Sequence, residues 1–209
     1  MQQTAIVGVA EHGNSAVLVT VTARGGELLD RRRVDLTIGL STHPYHHEGA
    51  WAVGRYLDSP WARAISLPEA VALIEQVHEA AARGARASLE ALAAAVPVPI
   101  SAIAIRGCPK LPPTIEERLA DHRAQLVADS VMYREALALE ARARGWSVCW
   151  YDRDRVLGDA SAALGCEVDV VLKRMGRTIG PPWQAKHKLA AAAAMAAAAH
   201  APSPRSAGN

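Results

Sequence analysis

The segment His43-Pro44-Tyr45-His46-His47-Glu48 gathers three imidazoles and a carboxylate within six residues. Imidazole nitrogen with carboxylate oxygen suits Zn²⁺ or another transition metal, and His12 is a further nitrogen that an early turn could bring to them. Pro44 interrupts a regular helical presentation, and the spacing matches no established zinc motif. The same residues also read as a polar, His-rich surface loop. A flap over a site is a third reading, because residues 37–67 make a long connection for a compact domain.

The second set of chemistry-bearing residues is cationic. Residues 1–169 hold 17 basic and 21 acidic side chains, whereas residues 170–209 hold six basic and no acidic ones. Lys173, Arg174, Arg177, Lys186 and Lys188, with Arg31-Arg32-Arg33 from an early strand, would make a basic face for a nucleic-acid backbone. Trp183 either stacks on a base there or packs against Pro181 and Pro182. The plainer account is that these cations pair with acids elsewhere or face water, and that a triple arginine protects a sheet edge. Arginine outnumbers lysine nineteen to four in an alanine-rich chain, the pattern of a GC-rich bacterial genome, so arginine abundance alone says little about nucleic acid.

These residues must be positioned by the elements between them. At 209 residues the chain is long enough to bury a real core, and we expect one domain over residues 1–201 with a disordered tail over 202–209. Residues 4–10 form a continuous apolar run, as a strand buried on both faces does, and Glu11-His12-Gly13-Asn14-Ser15 breaks it. Residues 16–23 alternate Val17, Val19 and Val21 with Thr20 and Thr22, Arg24-Gly25-Gly26 closes a hairpin, and the charged run 27–36 reads as an edge strand. Leu67-Pro68-Glu69 opens a long helix reaching about Ala95, with an interruption expected at Gly84. Residues 100–105 are an apolar strand. A second long helix begins at Thr114 or Asp121 and ends at Gly145, and residues 146–151 are the last strand. Short helices over 159–164 and 168–175 precede a final alanine-rich helix over 184–199. Three cysteines without CxxC spacing, no signal-peptide pattern and no long apolar run suggest a cytoplasmic protein with no membrane segment.

Three meandering strands feeding alternating helices and strands resemble the ribonuclease H-like superfamily, and most of all the RuvC-type Holliday junction resolvases. The likeness is carried especially by the second half: the long helix over 125–144, the strand ending in Tyr151-Asp152, the segment with Lys173-Arg174, and the Ala-rich helix with His187 near its start. It implies an α/β fold with a mixed five-stranded sheet, an antiparallel meander plus parallel strands flanked by helices. It also implies two-metal phosphodiester cleavage, in which carboxylates on the first strand, the fourth strand and the final helix hold Mg²⁺ or Mn²⁺. The turn after the first strand also resembles the phosphate loop of actin-like ATPases, but no second lobe accompanies it.

Against the resolvase pattern, the first strand offers only Glu11, the fourth ends in Arg106, and no carboxylate lies beyond Asp169. His187 falls near the position where some such enzymes use histidine. Glu11, Asp152, Asp154 and His187 are therefore the candidate catalytic set, with Glu11 and Asp152 as metal ligands and His43, His46, His47 and Glu48 as an alternative centre. In the competing account Glu11 caps a turn and the two aspartates are solvated. Two functions follow: nucleic-acid binding with weak or altered metal-dependent nuclease activity, or a catalytically inactive domain of the same fold acting through a homodimer or another protein partner.

Overall fold

The computed structural model describes residues 3–199, so the tail expected over 202–209 lies outside them. Strands β1 (Ala5–His12), β2 (Ser15–Thr22), β3 (Leu28–Asp35), β4 (Ile100–Arg106) and β5 (Ser147–Tyr151) form one mixed sheet in the order β3-β2-β1-β4-β5. The first three are an antiparallel meander, and β1, β4 and β5 run parallel. This is the ribonuclease H-like arrangement expected from the element order.

Both faces of the sheet are covered. Val7, Val9, Leu18, Ile103 and Ile105 meet α2 (Leu67–Ala95) and α4 (His122–Ala143) on one side. Ile6, Ala10, Val17, Val19 and Ala104 meet α5 (Val156–Leu164), α6 (Val168–Ile179) and α7 (Ala185–Ala198) on the other. Strand β2 alternates in sequence but is buried on both faces, Thr20 and Thr22 included. The threonine face lies under helices, so alternation here does not mean a solvated side.

Helix α2 starts at a capping box: the Ser66 amide donates to Glu69 Oε2 at 2.8 Å, and the Glu69 amide to Ser66 Oγ at 3.4 Å. It runs unbroken through Gly84. A Cβ there would lie 2.0 Å from the Leu36 carbonyl oxygen, so the glycine serves close approach to the chain leaving β3 rather than an interruption. The two candidate starts of the second long helix are both real. Thr114 caps the short α3 (Ile115–Ala120), and Asp121, in extended conformation, accepts from the Arg123 and Ala124 amides to cap α4.

Helix α7 is buried from Ala190 through Ala197 on every side, which explains a helix made almost wholly of alanine. It lies so close to β1 that a Cβ on Gly8 would sit 1.8 Å from the Ala190 carbonyl oxygen. Among the described residues no helix is long and apolar enough to cross a membrane.

Candidate functional site

Strands β1, β4 and β5 end side by side, with Glu11 next to last in β1, Arg106 last in β4, and Tyr151-Asp152 at the end of β5. Glu11 does not stand open. Its Oε1 accepts from Arg134 of α4, through Nε at 2.7 Å and through Nη2, while Arg134 Nη1 donates to the Gly107 carbonyl at 3.1 Å. The two side chains are 8% and 7% exposed. A guanidinium fork on a carboxylate in so dry a place is a strong, directional pair. It ties β1 and the loop after β4 to α4. Close by, the Tyr151 hydroxyl donates to the Val9 carbonyl at 2.8 Å, and burial raises its pKa well above the phenol range.

The remaining candidates serve local structure. Asp152 and Asp154 are exposed; Asp152 Oδ1 accepts from the Asp154 amide at 2.9 Å and the Asp152 carbonyl from the Val156 amide at 2.9 Å, turning the chain into α5. His187 Nδ1 accepts from the Gln184 amide at 3.2 Å and so caps α7, its ring stacked on Trp183 at 5.9 Å. Burial, then Arg31, lowers the His187 pKa, which favours the neutral imidazole this cap requires. Lys186 enters the Glu11 region from the start of α7. Desolvation lowers its pKa, with Glu11 pulling up and Arg33 pulling down.

The residues present do not fit the divalent pair that the resolvase resemblance implies. Mg²⁺ and Mn²⁺ take oxygen ligands, and here the one strand-end carboxylate of β1 is held by a guanidinium, with a cation closing β4. Among the described residues no group of three His, Cys, Asp or Glu side chains is arranged to hold a metal ion.

The His-rich segment departs from the surface-loop expectation. Tyr45–Gly49 is one π-helical turn running into α1 (Ala50–Ala52), and Pro44 is its N-cap, φ −64°, rather than an interruption. Proline lacks the amide that a helix start leaves unpaired anyway. Glu48 is buried, accepting from Ser41 Oγ at 2.8 Å and Arg63 Nη2 at 3.1 Å, so it belongs to the core of the turn. Asp129 of α4 receives the Tyr45 and His46 amides at 3.0 and 3.1 Å, and the Tyr133 hydroxyl donates to the Thr42 carbonyl at 3.0 Å. Burial drives the Asp129 pKa up to about 7, against the pull of those amides. Sequence reasoning passed over Asp129, Tyr133 and Arg134. Their signal was polar side chains set in the apolar stripe of a long helix, which lacks meaning until the partners are known.

Of the basic residues, Lys173, Arg174 and Arg177 project from the solvent face of α6, whose other face buries Val168, Val171, Leu172 and Met175. Lys188 is exposed on α7 and Lys186 half-buried. The triple arginine is largely committed elsewhere. Arg31 donates to the Gly180 carbonyl at 3.0 Å and to that of Pro182, Arg32 pairs with Asp30 at 2.7 Å, and Arg33 lies 3.6 Å from Asp35. Trp183 packs on α6 and donates to the Leu172 carbonyl at 2.8 Å, where a Cβ on Gly176 would meet its ring at 2.4 Å.

No protein-family model and no curated protein matches this sequence. Among solved structures the chain is similar to T. thermophilus RuvC in complex with a Holliday junction substrate, with a TM-score of 0.53 and 13% identity over 95% of this chain and 94% of that one. It is also similar to a second Thermus thermophilus RuvC structure, with a TM-score of 0.49 and 15% identity over 95% of each chain. The first likeness, spanning nearly both chains, shows a shared ribonuclease H-like fold.

Proposed function

We propose that this chain is a cytoplasmic nucleic-acid-binding domain that grips the phosphate backbone through α6 and the start of α7. The observation that carries the reading is the surface of Lys173, Arg174, Arg177 and Lys188, in a stretch with no carboxylate after Asp169. The solved structure of the same fold was determined with a DNA junction, which makes DNA the first substrate to try. Three free cysteines fit a reducing compartment.

We assign binding without cleavage to the chain, and a structural role to the strand-end pair. Giving Glu11 over to Mg²⁺ or Mn²⁺ would set a second cation beside Arg134 and weaken the buried guanidinium's hold on its counter-charge. The pair instead fixes α4 to the ends of β1 and β4. Binding to branched, duplex and single-stranded DNA measured across salt tests the reading: phosphate contacts make affinity fall as salt rises. Absence of any salt-dependent affinity would remove it and leave association with a second copy or another protein. Cleavage assays with Mg²⁺ and Mn²⁺ test the assignment of binding alone, and a cut that Glu11→Gln abolishes would overturn it.

A further inference from the structure

Among the described residues, a dense ring cluster lies away from Glu11, on the connection between β3 and α2. His46, His47, Trp51, Tyr56, Ser59 and Trp61 line a cavity of about 520 Å³. Trp61 is 77% exposed and Tyr56 41%, far more than rings placed for packing. His47 lies nearly parallel to Trp51, at 7° and 5.9 Å between centroids, while Arg63 covers that indole at 5.7 Å.

Several features hold this cluster in place. Tyr56 has φ +56°, the left-handed region that side chains other than glycine rarely adopt, and its hydroxyl is hydrogen bonded to His122 Nε2 at 2.8 Å. Strain of this kind persists where surrounding structure enforces it, and it concentrates at binding sites. Asp129 anchors the turn that carries His46 from beneath. His43, at the head of that turn, lies against Gly13 in the β1–β2 turn, 3.3 Å from where a Cβ would be. The segment that carries His46 and His47 therefore touches the β1–β2 turn.

The lining selects the ligand chemistry. Arg63 already covers a face of Trp51 and no carboxylate lines the cavity, so a cationic ligand would meet like charge without an acid to offset it. Burial and neighbouring imidazoles lower the His46 pKa, so its ring is a neutral donor and acceptor. Flat apolar walls with hydrogen-bonding edges match a flat heterocycle with polar edges. Resting on the nucleic-acid reading above, we infer that this cavity receives an unpaired nucleobase, stacked against Trp61 and Tyr56.

The test uses the full chain, an unstructured single-stranded oligonucleotide and a blunt, fully paired duplex of the same length. Trp61→Ala should weaken single-strand binding about five- to a hundred-fold, with duplex affinity unchanged. Trp61→Phe should restore most of the single-strand affinity. Tyr56→Gly, which suits the positive φ, should weaken single-strand binding without loss of thermal stability. Single-strand affinity unchanged by Trp61→Ala, or lost equally for both probes, would overturn the pocket while leaving the nucleic-acid reading intact. Failure of the wild-type chain to bind either probe would overturn both. Self-association that Trp61→Ala dissolves, without any effect on oligonucleotide binding, would assign the cluster to a second copy and refute a base pocket.

Discussion

Arg134→Met removes the guanidinium from beside Glu11 and keeps an unbranched chain of similar reach in its place. The variant leaves a carboxylate that is 8% exposed without its cation, and deprives the Gly107 carbonyl of its donor. Stranding one member of a buried ion pair costs about 3–5 kcal/mol, a large share of the roughly 5–15 kcal/mol that stabilises a whole domain. Glu11→Gln strands the arginine in turn, but more gently, because the amide oxygen still accepts a hydrogen bond. The double variant should cost less than the sum, with a coupling of about 1–3 kcal/mol. Urea unfolding followed by circular dichroism measures all three, provided the slope against urea is the same in each. Arg134→Met should also gain stability on addition of Mn²⁺, since it frees the β1 carboxylate, whereas the wild-type chain should not. A loss under about 1 kcal/mol, or additive single effects, would refute the view that this pair organises the strand ends.

Gly8→Ala should destabilise by about 1–3 kcal/mol or more, because its Cβ would fall 1.8 Å from the Ala190 carbonyl oxygen; urea unfolding would show it, and a stabilised variant would contradict the close packing of α7 on β1. Asp129, pushed up to about 7 by burial, is protonated in the folded chain over a range where the unfolded chain has already lost the proton. Its contribution is full below about pH 4 and is lost as pH rises to about 7, by up to roughly 4 kcal/mol. Asp129→Asn should flatten that fall in pH-dependent unfolding. His187→Ala removes the acceptor for the Gln184 amide, so it should lower stability by about 1 kcal/mol while leaving the salt dependence of DNA binding as it was.

The element order was legible because each boundary carries local chemistry: glycines at the hairpin, Pro68 and Glu69 at the start of α2, Gly145 after α4. These signals act within a few residues, and so does hydrophobic alternation. What they miss is burial imposed from afar. The alternation of valine and threonine identifies β2 as a strand, yet it does not disclose that all eight of its residues are buried. Gly84 reads as a break, yet it is a contact with Leu36. Pro44 reads as an obstacle in a loop, yet it heads a helical turn whose Glu48 turns inward.

The site was half legible for the same reason. Glu11 was found as the acid at the end of β1, but its partner is 123 positions away on α4, and no spacing rule links them. His187 was a candidate because it falls near the position where some resolvases of the resembled type use histidine; in place, its nitrogen caps the helix it begins. Arg31-Arg32-Arg33 looked like one basic patch, whereas alternation along a strand and nearby acids divide it among separate partners. The α6 cations Lys173, Arg174 and Arg177 lie on a solvent face, opposite the buried Val168, Val171, Leu172 and Met175.

The most direct measurement is the salt dependence of duplex DNA binding, by fluorescence anisotropy in the presence of a metal chelator, for the wild-type chain and for Lys173→Ala/Arg174→Ala/Arg177→Ala. A metal-free phosphate grip by α6 predicts binding that weakens steadily with salt, and a log–log slope about three units shallower in the triple variant. Binding that vanishes in the chelator, or a triple variant with the wild-type slope, would contradict it.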